Sequence, residues 1–377
     1  MNRKNLTAAV LAGLAGAAGI VGSAQAVNIN PDGLGQVLIY PYYTVNAGNT
    51  TLLSVVNTSE DAKAIKVRFL EGKNSREVLD FNLYMSPYDV WTASLKKKID
   101  GVPRLKTADN TCTVPYIYGD FGGVQDFLRW GMDDEEDYDE EDLDSFGDIS
   151  RATEGHFEMI EMGILTDEYM GSASAITHEN GGDLPDYTAD AEGGQGMGGC
   201  GQLVDAWTDF DDTVEDDNVG YWLQNADTDL EAPTGGLFGG AAIVNVQAGT
   251  MYSYDAKAVD GFSESSMHFE PGFTAPNLNS GDIYEGYVFV DGETEMYSFY
   301  DDGEGRTVDA VSYVFMHDSV MNEYTTESAV AGATEWVMTF PTKHFYVYQP
   351  DSGSSLPVEP FTSTWNGDDP ETDWKDE

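Results

Sequence analysis

Positive charge is scarce in this 377-residue chain: 18 Lys and Arg stand against 67 Asp and Glu, a formal net charge of -49. Phosphate recognition needs a basic surface, so nucleic acid is excluded as an electrostatic partner. Cysteine and histidine are few, two and five respectively, which excludes a Cys-rich zinc protein. A multihaem cytochrome is excluded as well, because no Cys-x-x-Cys-His attachment site occurs. Beyond the N-terminal stretch there is no run of about 18 apolar residues, so no transmembrane segment is expected. What is present suffices to fold: 41% hydrophobic and 12% aromatic residues are globular values, not those of a disordered acidic polymer.

Catalytic signatures are missing too. There is no H-E-x-x-H, no G-x-S-x-G and no phosphate-binding Gly loop with its Lys. His156, His178, His268, His317 and His344 are scattered along the chain. A pair of carboxylates about 5 to 9 Å apart would serve a secreted hydrolase, but no spacing among the acids singles one out. An enzyme is therefore not the expected reading.

Residues 1–26 read as an export signal, with Arg3 and Lys4 ahead of an apolar stretch and Ala24-Gln25-Ala26 before Val27. Export implies an oxidising compartment, where Cys112 and Cys200 are expected to form one disulfide. No Cys follows the cleavage site, so a lipid anchor is not expected.

Short alternating segments dominate the remainder. Ile65, Val67 and Phe69 alternate with Lys66 and Arg68, and Leu79, Phe81 and Leu83 alternate with Asp80 and Asn82. Both patterns predict half-buried strands. Further strands are expected at 51–56, 157–162, 237–246, 284–290, 336–340 and 344–348, while 311–322 reads equally as helix or strand. The expected fold class is mainly β, with two or more antiparallel β-sandwich (Ig-like) domains and long acidic and Gly-rich loops. The expected divisions are an N-terminal sandwich at 27–115, an acidic β-rich domain at 116–260 with an insertion at 131–150, a C-terminal β-rich domain at 261–350 and an acidic tail at 351–377. The run from Asp133 to Asp142 cannot enter a core, because each buried carboxylate would need a partner.

The charge is unevenly spread. Residues 62–106 hold ten basic against five acidic residues, a net of about +5, whereas six basic and 59 acidic residues follow from 107 onward, about -53. Lys63, Lys66, Arg68, Lys96, Lys97, Lys98, Arg104 and Lys106 are thus expected to form a basic surface patch. Its partners would be a neighbour's acidic region or the phosphates of lipopolysaccharide.

Dense carboxylates repel one another unless cations bridge them, so a structural Ca2+ ion is expected. Asn225, Asp227, Asp229 and Glu231 place oxygens at alternate positions, as calcium loops do. Asp301, Asp302 and Glu304, and likewise Asp368 and Asp369, place them beside a turn Gly. None is an EF-hand. Trp207, Trp222, Trp365 and Trp374 lie near acidic stretches, and as exposed aromatics they would line a sugar-binding face. This makes a secreted adhesin or carbohydrate-binding protein the alternative.

Several segments, in order along the chain, resemble the gammaproteobacterial S-layer protein family. They are residues 35–45, residues 66–82, Ser86-Pro87-Tyr88-Asp89-Val90-Trp91-Thr92-Ala93, residues 154–163, and Glu335-Trp336-Val337-Met338-Thr339-Phe340-Pro341-Thr342-Lys343. The resemblance implies a secreted structural subunit that assembles with itself outside the outer membrane, without enzymatic activity. It supplies no catalytic residues.

Overall fold

The computed structural model describes residues 26–73, 75–128, 149–178, 185, 199–208, 219–290, 292–301, 304–317, 321 and 336–347. The export signal up to residue 25, the acidic run 133–142, most of the Gly-rich stretch before Cys200 and the tail 351–377 lie outside them. So do Asp302, Trp365, Asp368, Asp369 and Trp374.

The described chain is mainly β. In order the strands are β1 (Asn28–Ile29), β2 (Val37–Thr44), β3 (Thr50–Asn57), β4 (Ala62–Glu71), β5 (Glu77–Met85), β6 (Val90–Lys97), β7 (Pro103–Lys106), β8 (Cys112–Val114), β9 (Val124–Asp126) and β10 (Glu154–Leu165). There follow β11 (Leu230–Glu231), β12 (Leu237–Asn245), β13 (Thr250–Asp255), β14 (Lys257–Asp260), β15 (Glu285–Val290), β16 (Glu293–Ser298), β17 (Tyr300–Asp301) and β18 (Glu304–Gly305). A first sheet runs β1-β14-β2-β10-β4-β5-β8 with β11 beside β10, and a second runs β13-β12-β3-β6-β7-β9. β15 with β16 and β17 with β18 form two small hairpins.

Alternation fixes which side chains face inward. Ile65, Val67 and Phe69 of β4, Phe81 of β5 and Phe157 of β10 meet Leu53 and Val55 of β3 and Trp91 and Leu95 of β6 in one apolar core. Phe157 stacks on Tyr40 at 4.1 Å and on Phe69 at 4.9 Å between ring centroids, which adds to the area it removes from water. Gly155 lets β10 enter this ladder, because a Cβ there would lie 2.0 Å from the Leu70 carbonyl oxygen.

Both sheets take strands from either side of residue 115. β10 lies between β2 and β4, and β12 lies beside β3. The boundary expected at 115 therefore falls inside shared hydrogen-bonded ladders, because the early strands lack their central neighbours until residues 154–165 arrive.

The expectation of half-buried strands is also corrected. All ten residues of β4 are buried, because the second face of the first sheet is covered in turn. Val37, Ile39, Ile160 and Val259 pack with Phe262, Val308, Val311 and Tyr346. Ala64, Tyr84 and Met162 pack with Leu203, Trp207 and Trp222. Residues 336–340 form no strand, and Pro341 follows without an N–H for a ladder. Residues from His344 to Val347 make a helical turn, and the ambiguous stretch begins within the helix Thr307–Val314.

Cys112 in β8 and Cys200, which opens the helix Cys200–Ala206, form a disulfide spanning 88 residues. It ties that helix to the edge of the first sheet. Replacing both cysteines by serine is expected to lower unfolding stability by about 4 kcal/mol on the chain-entropy account. Urea unfolding of the oxidised wild type and of the double-serine variant measures the difference.

Candidate functional site

Among the described residues, the strongest gathering of ionisable groups lies on the second face of the first sheet, between its two apolar clusters. Register creates it. Arg68 of β4 stands directly across from Glu158 of β10 on one side and Asp80 of β5 on the other. Its Nη1 donates to Glu158 Oε2 at 3.1 Å and its Nε to Glu77 Oε2 at 2.5 Å. Lys66 Nζ lies 2.5 Å from Asp80 Oδ2 and donates to the Glu270 carbonyl oxygen at 3.3 Å. The chain after β14 straps this strip down: the Gly272 N–H donates to Asp80, and Asn82 Nδ2 donates to the Phe269 carbonyl.

Lys63 makes a separate buried pair. Its Nζ donates to Glu161 Oε1 at 2.6 Å and to Thr234 Oγ1 at 2.9 Å, while Glu161 also accepts the N–H groups of Thr234 and Gly235. Gly235 takes a φ of 79° to present that N–H.

Burial dominates the electrostatics. It pushes the Glu158 carboxyl up to about 7 despite the opposing pull of Arg68, and it raises Glu161 and Glu77 against Lys63 and Arg68. It lowers Lys66 even beside Asp80. His156 is driven down to about 3 by burial, with His344 and Arg68 adding to the effect, and His344 falls to about 4. His156 Nε2 stands 3.9 Å from Glu158 Oε1, and neither atom has a hydrogen-bond partner among the described residues. The arrangement can hold a proton on Glu158 near neutrality. Lys66, Arg68, His156 and Glu158 are buried, and Glu77 and Asp80 at the margin of the strip are half-buried.

The expected basic patch is therefore divided. Lys63, Lys66 and Arg68 are not surface residues, because two-sided burial of the sheet turns them into internal ion partners. Lys98 pairs with Asp100 at 3.0 Å and Asp126 at 2.7 Å, and Arg104 also bonds Asp126, holding that carboxyl below its usual range. Lys96, Lys97 and Lys106 remain exposed, with no ion pair among the described residues. Lys96 and Lys106 border a shallow trough on the outward face of the second sheet, floored by Ser54, Ser94, Gly240 and Ala242.

The alternating acids do not converge. Asn225, Asp227 and Glu231 are exposed, but Asp229 is buried. Asp229 accepts the N–H groups of Tyr169, Met170 and Ser172 and the Ser172 hydroxyl. Burial alone would raise its carboxyl, yet these donors hold it below the usual range. Asp227 accepts the Ser266 hydroxyl, Glu231 pairs across to Ile164 of β10, and Asp301 pairs across to Glu304 in a hairpin. Among the described residues no three His, Cys, Asp or Glu side chains group as a metal site.

The aromatic reading is corrected as well. Trp207 donates to the Tyr84 hydroxyl and Trp222 to the Thr228 carbonyl, and both rings lie in the core. The partner carboxylates Glu77, Asp80, Glu158 and Glu161 escaped the sequence reading. Acids punctuating the otherwise apolar β10 were the available signal, since a buried strand admits them only opposite cations.

No described helix is long and apolar enough to cross a membrane. Comparison with protein-family models, curated proteins and solved structures finds no match.

Replacing Arg68 by Met is expected to cost about 3 to 5 kcal/mol, because it removes the cation bonded to the buried Glu158 and to Glu77. Lys98→Ala, at the solvent, should change stability little. Chemical denaturation of the two variants separates them.

The buried histidines also make stability depend on pH. His268, bonded to the Tyr84 hydroxyl and the Ala226 carbonyl, is lowered by burial to about 4. Between that value and 6.5 the unfolded state binds the extra proton, so this contribution is lost as pH falls through the window. Glu158, raised when folded, runs in the opposite sense between 4.5 and about 7. On going from pH 7 to pH 5 the wild-type protein should lose roughly 1 to 2 kcal/mol more than His268→Gln, read from urea midpoints at the two pH values.

Proposed function

We propose that this chain is a structural subunit of a secreted, calcium-dependent surface layer on a Gram-negative bacterium, built on Ig-like sandwich units. One observation carries the reading. The buried cations Lys63, Lys66 and Arg68 are engaged in binding strands and straps, while Lys96, Lys97 and Lys106 lie exposed on a chain of net charge -49. Such a cationic island on a polyanion attracts the acidic surface of another copy. A contact between two different surfaces propagates instead of closing. Two sheets sharing one core support the sandwich as the repeated unit. The resemblance of residues 35–45, 66–82 and 154–163 to S-layer proteins points the same way, and an export signal at 1–26 would deliver the chain to the cell surface. Lipopolysaccharide phosphates would be a second acceptor for the same three lysines.

Calcium enters through charge. Exposed acids such as Asp227 and Glu231 repel across any contact between copies unless a divalent cation bridges them.

Purified protein with calcium should form ordered sheets in the electron microscope and lose them on chelation. A triple variant with Lys96, Lys97 and Lys106 changed to Glu should form none. Sheets that survive the triple reversal would remove the lysine patch from the contact, and monomers under both calcium conditions would remove the surface-layer reading itself.

A further inference from the structure

An open sheet edge invites another strand unless something blunts it. In the first sheet the terminal strands are short: β1 has two residues and β8 three. The second sheet ends on one side in the three-residue β9. Its other end is β13, six residues that pair one for one with β12 from Asn245 back to Gly240, with no bulge. β16 is equally long and exposed, but carries Glu293 and Glu295. β13 has no Lys, no Pro and a single charge, Asp255, at its end. Met251 and Tyr252 are 66% and 67% exposed, and no backbone hydrogen bond from another described segment reaches the strand's outer side.

We infer that β13 is a pairing edge for the same strand of a second copy, joining two second sheets into one continuous antiparallel sheet. Charge selects this occupant. Two chains at -49 repel over most of their surface, so they meet most readily where each is locally near neutral, and β13 is such a place. The facing of side chains then restricts the register. Met251 and Ser253 lie across from Val244 and Ala242, and Tyr254 packs against the core. A two-fold axis normal to the sheet keeps the two cores on one side only if residues of like facing sit opposite. The pairing that centres on Tyr252 satisfies this. It sets Met251 against the partner's Ser253 and Thr250 against the partner's Tyr254. It leaves each Asp255 beyond the ladder, opposite the turn at Gly249. The alternative centre at Ser253 would set Asp255 against Met251. This contact is isologous and needs neither calcium nor the lysine patch, so it stands apart from the surface-layer reading.

Opposite residues in an antiparallel pair have Cα atoms about 4.5 to 5.5 Å apart, within disulfide reach. Tyr252→Cys in the full chain should therefore yield a disulfide dimer on mild oxidation. Val246→Cys, 86% exposed but off the strand, should not. Wild-type protein should show a concentration-dependent monomer–dimer equilibrium by sedimentation in the presence of chelator, and Tyr252→Glu, which sets like charges face to face, should weaken it at least tenfold. Monomer at every concentration, a dimer indifferent to Tyr252→Glu, or equal cross-linking at Val246 would each overturn the inference. Sheets lost on chelation without any edge dimer would sink it while sparing the surface-layer reading. An edge dimer that never forms sheets would do the reverse.

Discussion

The first sheet is buried on both faces, and most of the molecule follows from that constraint. β10 sits between β2 and β4 with its aromatic face on one core and Glu158 on the other side. An ionised carboxylate in that position needs a cation, which Arg68 supplies from directly across the ladder. Burying such a pair is weak evidence for stability, because apolar replacements often do as well. Its clearer consequence is specificity. A slip of one residue would turn Glu158 into the aromatic core and Phe157 into the charged strip. The ion pair and the stacked rings therefore enforce the same register from opposite faces of one strand.

The same constraint explains what could be read from the sequence and what could not. Period-two alternation located β3, β4, β5, β10 and β12, because one face of each is apolar whether the other meets water or protein. Alternation cannot distinguish those two cases. Lys66 and Arg68 look like a solvated face until the chain from 263 to 277 is laid across them, and that strap has no periodic signal of its own. Sheet order was hidden for a related reason. β10 enters between strands more than eighty residues earlier, and only the acids within an apolar run hinted at a cationic partner. Asp229 shows the limit for ligand patterns. Oxygens at every second position resemble a cation loop, but three backbone N–H groups and a hydroxyl from 169–172 claim its carboxylate. The two cysteines, by contrast, were legible from their number and the export signal ahead of them.

The split in charge survives in altered form. Five of the eight basic residues expected on the surface are engaged with carboxylates, three of them inside the protein. Glu158 and Glu161 come from β10, so the segment at about +5 is neutralised in part by the strongly acidic region that follows it. Local sequence charge therefore overstates the basic surface. What remains is a small group of lysines at one end of the second sheet.

That sheet differs from its partner in a way that bears on any role at a surface. Apolar clusters and the charged strip cover the second face of the first sheet, and its terminal strands are too short to template another. The second sheet keeps an outward face floored by small side chains, with Lys96 and Lys106 at one side and a regular, nearly uncharged strand at the other. The two margins have different physics. A contact through the lysines would rest on screened charge, which salt weakens over a Debye length. A contact through the strand would rest on backbone hydrogen bonds and the apolar surface of Met251 and Tyr252, which salt weakens far less. A molecule of this net charge can approach its own copies only where repulsion is locally relieved. Exposed lysines offset negative charge at one margin of the second sheet, and β13 nearly omits charge at the other.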